Sequence, residues 1–286
     1  MKALCHYTKS NGNKNLCFTK NHMFDVINKH IKCISSCDTP EIWSFDPDIT
    51  HFLILDVDYE DLAQKMDLLR RLKTQGAKFV LLTFDPPNFW FVDKLAEEGI
   101  LDKVILFDSQ FVEYFSRHSN IKIYVSDYFF NEDLFEIIPS DTKNHSQVCV
   151  FGHLLYSRAN RPTYGAVKVD GGRLANDPVS VGINSYQQLY NKVQLFNGAI
   201  IHDLGHWVDM TEIHYNKAKA VEALMCGVNA YCYPGINTKR YNKFLKDIKE
   251  DDNGDLIIHP IEFDTSVIQK INTLTIEELI GEIKNT

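Results

Sequence analysis

Four groups of side chains in this 286-residue sequence have the types and spacing for chemistry on a phosphorylated ligand. Lys219 and Glu222 lie three apart in a stretch of helical period, so they project from one face. A cation there suits a phosphate and a carboxylate suits a pair of ribose hydroxyls, although the same pair reads equally as an i,i+3 surface ion pair. Arg158 and Arg161 follow Gly152, which closes an apolar run. Two guanidiniums just past a strand suit a diphosphate, held bidentately; alone they read as surface arginines. Asp85 follows the apolar run KFVLLT and precedes Pro86 and Pro87. A carboxylate at that place can act as general base, or simply open a turn before proline. Gly12 and Asn13 sit in the polar loop KSNGNKN, whose backbone can approach a ligand closely.

The elements that must position these groups alternate between strand and helix. Strands are predicted at 2–8, 31–35, 51–57, 78–83, 103–107 and 121–125, with helices from the 9–15 loop to about 30, and at 60–75, 93–98 and 109–117. Runs such as HFLILDV and KFVLLT are apolar throughout, as strands buried on both faces require. The pattern lapses in the polar stretch 131–146 and restarts at 148–152. A strand at 179–183, a helix at 186–195 and a strand at 199–203 follow. A helix capped by Asp209 or Thr211 then runs to Cys226, where Gly227 stops it as a left-handed residue, and a strand covers 228–233. A helix near 241–249, a strand at 256–261 and an amphipathic helix at 275–284 complete the chain. Segment 162–178 has Gly or Pro at five of seventeen positions, which excludes a long helix.

Composition narrows the class. With 44% hydrophobic and 24% charged residues the chain is globular, and no apolar run approaches the roughly 20 residues of a membrane span. Net charge is −8, with 15 Lys and Arg against 21 Asp and Glu up to residue 140, and 15 against 17 beyond it. Such a chain lacks the broad basic footprint of a duplex binder, and the cluster Lys65, Arg70, Arg71 and Lys73 reads as a solvated helix face. Seven cysteines, an odd number placed mostly in apolar segments, fit reduced thiols and a cytoplasmic location. Cys33 and Cys37 have no second pair to complete a zinc site. The acidic turn at 251–255 lacks the carboxylate spacing of a calcium loop.

These segments resemble a known family. KAVEALMCGV at 219–228 is similar to the donor-binding segment of GT-B glycosyltransferases, and within them to that of the DNA β-glucosyltransferases of T-even phages. The opening MKALCHYTKSNGN resembles the first strand and Asn/Gly loop of those enzymes. KFVLLTFDPP resembles the strand ending in their catalytic aspartate, FGHLLYSRANR their pyrophosphate segment, and VGIN at 181–184 the turn whose backbone reads uracil.

The resemblance implies an α/β fold of two Rossmann-like domains with mostly parallel sheets facing a central cleft. An acceptor-side domain is expected at 1–142, a nucleotide-sugar domain at 147–270, and a C-terminal helix at 271–286 packing back on the first domain. It implies an inverting transfer of glucose, or a pentose such as arabinose, from a UDP-sugar to 5-hydroxymethylcytosine in phage DNA, within the cytoplasm of the infected host. Asp85 would be the base, Arg158, Arg161 and Lys219 would hold the diphosphate, Glu222 the ribose and the Ile183 backbone the uracil. Gly12, Asn13 and Gly152 would line donor and acceptor. No cofactor or protein-bound metal is required, with a divalent cation such as Mg or Mn allowed. Two alternatives remain open: a GT-B enzyme acting on a glycan, lipid-linked or small-molecule acceptor, and a non-catalytic nucleotide-binding α/β protein.

Overall fold

The computed structural model describes residues 1–6, 18–35, 48–55, 64–83, 89–107, 109–126, 128–129, 144–151, 168–169, 172–175, 191–201, 217–232, 245–253, 256–259, 261–271 and 273–286. The chain divides into two compact units, one of Met1–Asn131 with Asn272–Thr286 and one of Glu132–Ile271.

The first unit is built on six parallel strands, β1 (Lys2–His6), β2 (Lys32–Ser35), β3 (His51–Ile54), β4 (Lys78–Thr83), β5 (Lys103–Leu106) and β6 (Lys122–Val125). They lie in the order β2-β1-β3-β4-β5-β6. Apolar strands fold this way because both sheet faces are covered. β3 is wholly buried, β4 is buried after Lys78, and Phe52 stacks on Phe79 with ring centroids 5.1 Å apart. Helices α1 (Phe18–His30), α2 (Met66–Thr74), α3 (Phe89–Glu97) and the short α4 (Val112–Phe115) connect the strands. Leu69 and Leu72 of α2, and Phe91, Val92 and Leu95 of α3, fill the same core as Phe52 and Phe79.

The chain returns to this unit at its end. β7 (Tyr128–Phe129) and β15 (Thr273–Leu274) pair in parallel, and α6 (Ile276–Lys284) follows. Thr275 caps α6 through a reciprocal box: its hydroxyl accepts from the Glu278 amide at 3.2 Å, and the Glu278 carboxylate accepts from the Thr275 amide at 3.0 Å. Helix α6 touches the amino-terminal end of the sheet. Lys103, the first residue of β5 and only 5% exposed, donates to the Glu282 carbonyl at 2.7 Å and also to the Glu282 carboxylate.

His51, the first residue of β3, is buried at the same end, with Nδ1 2.9 Å from the Thr50 hydroxyl. Burial depresses its imidazole pKa, helped by the chain's amino terminus and Lys78, while the Ile283 carbonyl and Asp102 pull the other way. The unfolded imidazole, with its ordinary pKa of about 6.5, therefore binds a proton more readily than the folded one. The stability His51 contributes is full above that value and is lost as pH falls through the depressed folded pKa. Denaturant midpoints taken from about pH 7.5 to about pH 5 should fall, and His51→Gln should flatten that fall. An equally steep fall in the variant would place the acid sensitivity elsewhere.

The second unit has a seven-stranded sheet in the order β12-β11-β8-β10-β9-β14-β13. Its strands are β8 (Asn144–Phe151), β9 (Lys168–Val169), β10 (Gly172–Ala175), β11 (Phe196–Ile201), β12 (Asn229–Cys232), β13 (Lys249–Glu250) and β14 (Leu256–Ile258). Strands β12, β11, β8 and β10 run parallel; β9 is antiparallel to β10 and carries β14 alongside it. The mostly parallel α/β class is thus met in both sheets. Helix α5 (Lys217–Met225) joins β11 to β12.

Gly198 in β11 is a packing requirement. A Cβ there would lie 2.4 Å from Val148 Cγ1 and 2.6 Å from Tyr231 Cε2, so the Tyr231 ring crosses β11 where only glycine leaves room. Burial pushes the Tyr231 phenol up to about 12.

Several sequence expectations are corrected. No helix occupies the described part of 241–249. Lys246 bridges in parallel to Tyr231, its amide donating to the Ala230 carbonyl at 2.8 Å, and Lys249–Glu250 pairs with β14. Sheet pairing overrides the local helical period there. Strand β8 begins at Asn144, inside the stretch read as polar linker, because Asn144 pairs with Phe196. Helix α3 begins at Phe89, four residues before the expected Asp93, and the helix expected at 109–117 is a 3-10 turn followed by α4. Asp209 and Thr211, the expected caps of α5, lie outside the described residues.

Candidate functional site

Because all six strands of the first sheet are parallel, their carboxyl ends share one edge. Strand order reverses between β1 and β3, the switch point beside which parallel α/β sheets bind ligands. The segment leaving β1 carries Gly12 and Asn13, and Asp85 is the second residue beyond β4. These three residues themselves lie outside the described ones. The strand ends that present them are firmly held. The Leu55 amide donates to the His6 carbonyl at 2.8 Å and the Phe107 amide to the Thr83 carbonyl at 3.2 Å. His6 and Thr83 are both buried polar side chains at this edge, which the sequence reading did not single out.

Helix α3, which follows the Asp85 segment in sequence, is pinned at its start by a network. The Tyr114 hydroxyl donates to the Phe89 carbonyl at 2.9 Å and to the Asp93 carboxylate, which also lies 3.0 Å from His118 Nε2. Burial, and then the Asp93 carboxylate, raise the Tyr114 phenol far above its ordinary value, so it remains a donor at any physiological pH. Phe89 packs edge-on against Tyr114 with centroids 4.3 Å apart. The described residues on either side of segment 84–88, the end of β4 and the first turn of α3, are thus both held by specific hydrogen bonds.

In the second sheet the order reverses between β8 and β11. Gly152 is the residue after β8, with Arg158 and Arg161 further along the same segment, and Ile183 follows β10 by eight positions. All four lie outside the described residues. Lys219 and Glu222 belong to α5, the helix entered from β11. Glu222 is completely buried, as are its neighbours Ala220, Val221 and Ala223. This rules out the exposed ion-pair reading for Glu222, since a carboxylate withdrawn from water has to be compensated by specific polar partners. The side chain of Lys219 is outside the description.

The stop of α5 is a Schellman motif. Gly227 has φ 69°, its amide donates to the Leu224 carbonyl at 2.8 Å, and the Val228 amide donates to the Ala223 carbonyl at 3.0 Å. The turn passes the chain into β12 within three residues. Gly76 and Gly99 end α2 and α3 in the same way.

Two of the four basic residues at 65–73 are paired with carboxylates. Arg70 makes a fork to both Glu98 oxygens at 2.7 Å each and reaches Asp67 at 2.6 Å, while Lys73 pairs with Asp102 at 2.6 Å. Among the described residues no three His, Cys, Asp or Glu side chains converge as a metal would need. Cys5, Cys33, Cys149 and Cys226 are free thiols. Burial, then a hydrogen bond with Cys33, raises the Cys5 thiol. Among the described residues no helix is long and apolar enough to cross a membrane.

No family model and no curated protein matches the chain. A solved structure described as the apo form of the lipopolysaccharide outer core galactosyltransferase WaaB aligns over 100% of this chain and 95% of its own. The two are 10% identical, with a TM-score of 0.42.

Proposed function

We propose that the chain is a GT-B glycosyltransferase that moves a sugar from a UDP-sugar to a hydroxyl acceptor with inversion, the acceptor being 5-hydroxymethylcytosine in DNA. The observation that carries this reading is the second sheet. Its switch point lies between β8 and β11, the two strands whose carboxyl ends lead into the Gly152–Arg158–Arg161 segment and the Lys219–Glu222 helix. The complete burial of Glu222 adds support, since it sets that carboxylate apart from an ordinary helix-surface residue.

In this reading Arg158, Arg161 and Lys219 hold the diphosphate, Glu222 the ribose hydroxyls and the Ile183 backbone the uracil. Gly152, with Gly12 and Asn13 in the first unit, lets backbone approach donor and acceptor. Asp85 takes the proton from the acceptor hydroxyl, whose oxygen attacks the anomeric carbon from the face opposite the diphosphate. The carbon–oxygen bond to the diphosphate breaks, UDP leaves with the electron pair, and the fixed cations stabilise its growing charge. No protein-bound metal is needed for that sequence, and a divalent cation arriving with the donor would only add to the cationic field. A target base within a duplex has to be flipped out to present its hydroxyl.

The test is UDP release from a panel of UDP-sugars, with and without DNA containing 5-hydroxymethylcytosine. Release dependent on the modified DNA is the expected result, and the best donor names the sugar, glucose or a pentose. Release independent of DNA would move the acceptor to a glycan, a lipid-linked sugar or a small molecule. UDP binding with no release from any donor would overturn catalysis and leave a nucleotide-binding protein.

A further inference from the structure

Helix α6 lies on a sheet face that carries ionisable groups beneath it. In a parallel sheet, registered partners point to one side and alternate residues share that side. His51 is registered with Lys78, Val80 with Lys103, and Lys103 with Lys122. The first residues of β3, β4, β5 and β6 therefore stand on one face. It is the face that receives α6, since Lys103 donates to the Glu282 carbonyl. The buried stripe of α6 is Leu279, Ile280 and Ile283, and two ionisable side chains at this end of the sheet are buried, the His51 imidazole and the Lys103 ammonium.

The two groups are not equally provided for. Lys103 has both the carbonyl and the carboxylate of Glu282. His51 has the Thr50 hydroxyl at Nδ1, but its Nε2 is buried without a hydrogen bond of good geometry among the described residues. Enclosure is the main influence on its proton affinity. The Ile283 carbonyl of α6 and Asp102 favour a proton, whereas the chain's amino terminus and Lys78 oppose one, and Asp102 is already paired with Lys73. Lys103, two strands away on the same face, has its charge met by Glu282. The docked ring thus stays neutral at a pH where a hydrated imidazole takes up a proton. The rest of the attachment is slight: β15 contributes only the two pairs Thr273–Tyr128 and Leu274–Phe129 to its ladder. Lifting β15 and α6 would hydrate both ionisable groups, which lowers the cost of opening this element ahead of the sheet.

We propose that β15 and α6 form an acid-releasable latch on the first unit: a proton on His51 detaches residues 273–286 locally while the six-stranded sheet stays folded. Release uncovers the row of Lys78, Lys103 and Lys122 on the face that α6 had occupied. A protonated ring in the docked state would need a second acceptor and would sit enclosed beside the amino terminus and Lys78; in the released state water meets both needs. The latch is independent of the glycosyltransferase reading.

The experiment is amide hydrogen exchange of the full chain, read by mass spectrometry from about pH 7.5 to about pH 5 and corrected for the intrinsic pH dependence of exchange. Amides of α6 should open more often as pH falls, by up to about tenfold per pH unit below about 6.5, the limit for a single proton. Amides of β4 and β5 should keep their protection throughout. His51→Gln should make the opening of α6 flat with pH. Lys103→Met with Glu282→Leu removes the other ionisable pair and should retain the pH response. An opening of α6 in the parent that ignores pH would overturn the proposal, and needs no variant to be seen. So would joint loss of protection in α6 and β4, which is global unfolding, or an undiminished response in His51→Gln. A double variant that loses the response would assign it to the Lys103–Glu282 pair and remove His51 from the latch.

Discussion

An Asp85→Ala chain should bind UDP as tightly as the parent and transfer sugar about 10² to 10⁴ times more slowly, the usual contribution of a positioned general base. The argument joins chemistry to position. An acceptor hydroxyl is a poor nucleophile until its proton has somewhere to go, and Asp85 follows by two positions the carboxyl end of β4, the end of a parallel sheet at which such folds bind ligands. The described elements on either side, the end of β4 and the start of α3, are held by hydrogen bonds that do not involve Asp85, so replacing it should leave them intact. Asp85→Asn is the sharper variant, since it keeps volume and removes basicity; its rate should fall as far. Isothermal titration with UDP beside a transfer assay separates the outcomes. Loss of UDP affinity together with rate would mean a donor-side or structural role, and retained transfer would exclude Asp85 as the base.

The largest effect on stability is expected at Glu282. Its carbonyl and carboxylate both receive the Lys103 ammonium, whose side chain is only 6% exposed. Glu282→Ala leaves that cation buried beside a single carbonyl. Removing one partner of a buried pair costs about 3–5 kcal/mol. The Glu282 side chain is 30% exposed, so solvent reaches the pair and about 2–3 kcal/mol is the appropriate expectation. Chemical denaturation followed by a probe in the first unit would read it. The double variant Lys103→Met with Glu282→Leu should recover most of the loss, because the penalty comes from the stranded charge and not from missing attraction. A Glu282→Ala chain as stable as the parent would show that water replaces the carboxylate without cost.

How far the sequence could be read depended on whether a signal was local. The stop of α5 at Gly227 and the start of α6 at Thr275 were legible because the caps are made by residues within a few positions of one another. The strands of the first sheet were legible because burial on both faces leaves an unbroken apolar run. Residues 241–249 misled because their period is helical, while the partner that holds Lys246 in extended backbone, Tyr231, lies 15 positions earlier. The polar opening of β8 hid a strand for the same reason, its partner Phe196 being 52 positions away. At the candidate site, residue types and chain positions could be read directly. Burial could not: nothing local says that Glu222 is enclosed, or that Trp90, beside the fully buried Phe91, faces water. Those facts belong to the packing of whole elements.

The return of β15 and α6 to the first unit sets an order of events during synthesis. The first 131 residues leave the ribosome without the helix that meets Lys103 and lies beside His51, and without the strand that pairs with β7. The second unit is continuous in sequence and can close on itself as it emerges. The amino-terminal unit must wait for residues 272–286, which bring Lys103 its Glu282 partner and β7 its paired strand. A chain ending at residue 271 and free of the ribosome would therefore hold every residue of the second unit and lack part of the first, the reverse of the usual vectorial order.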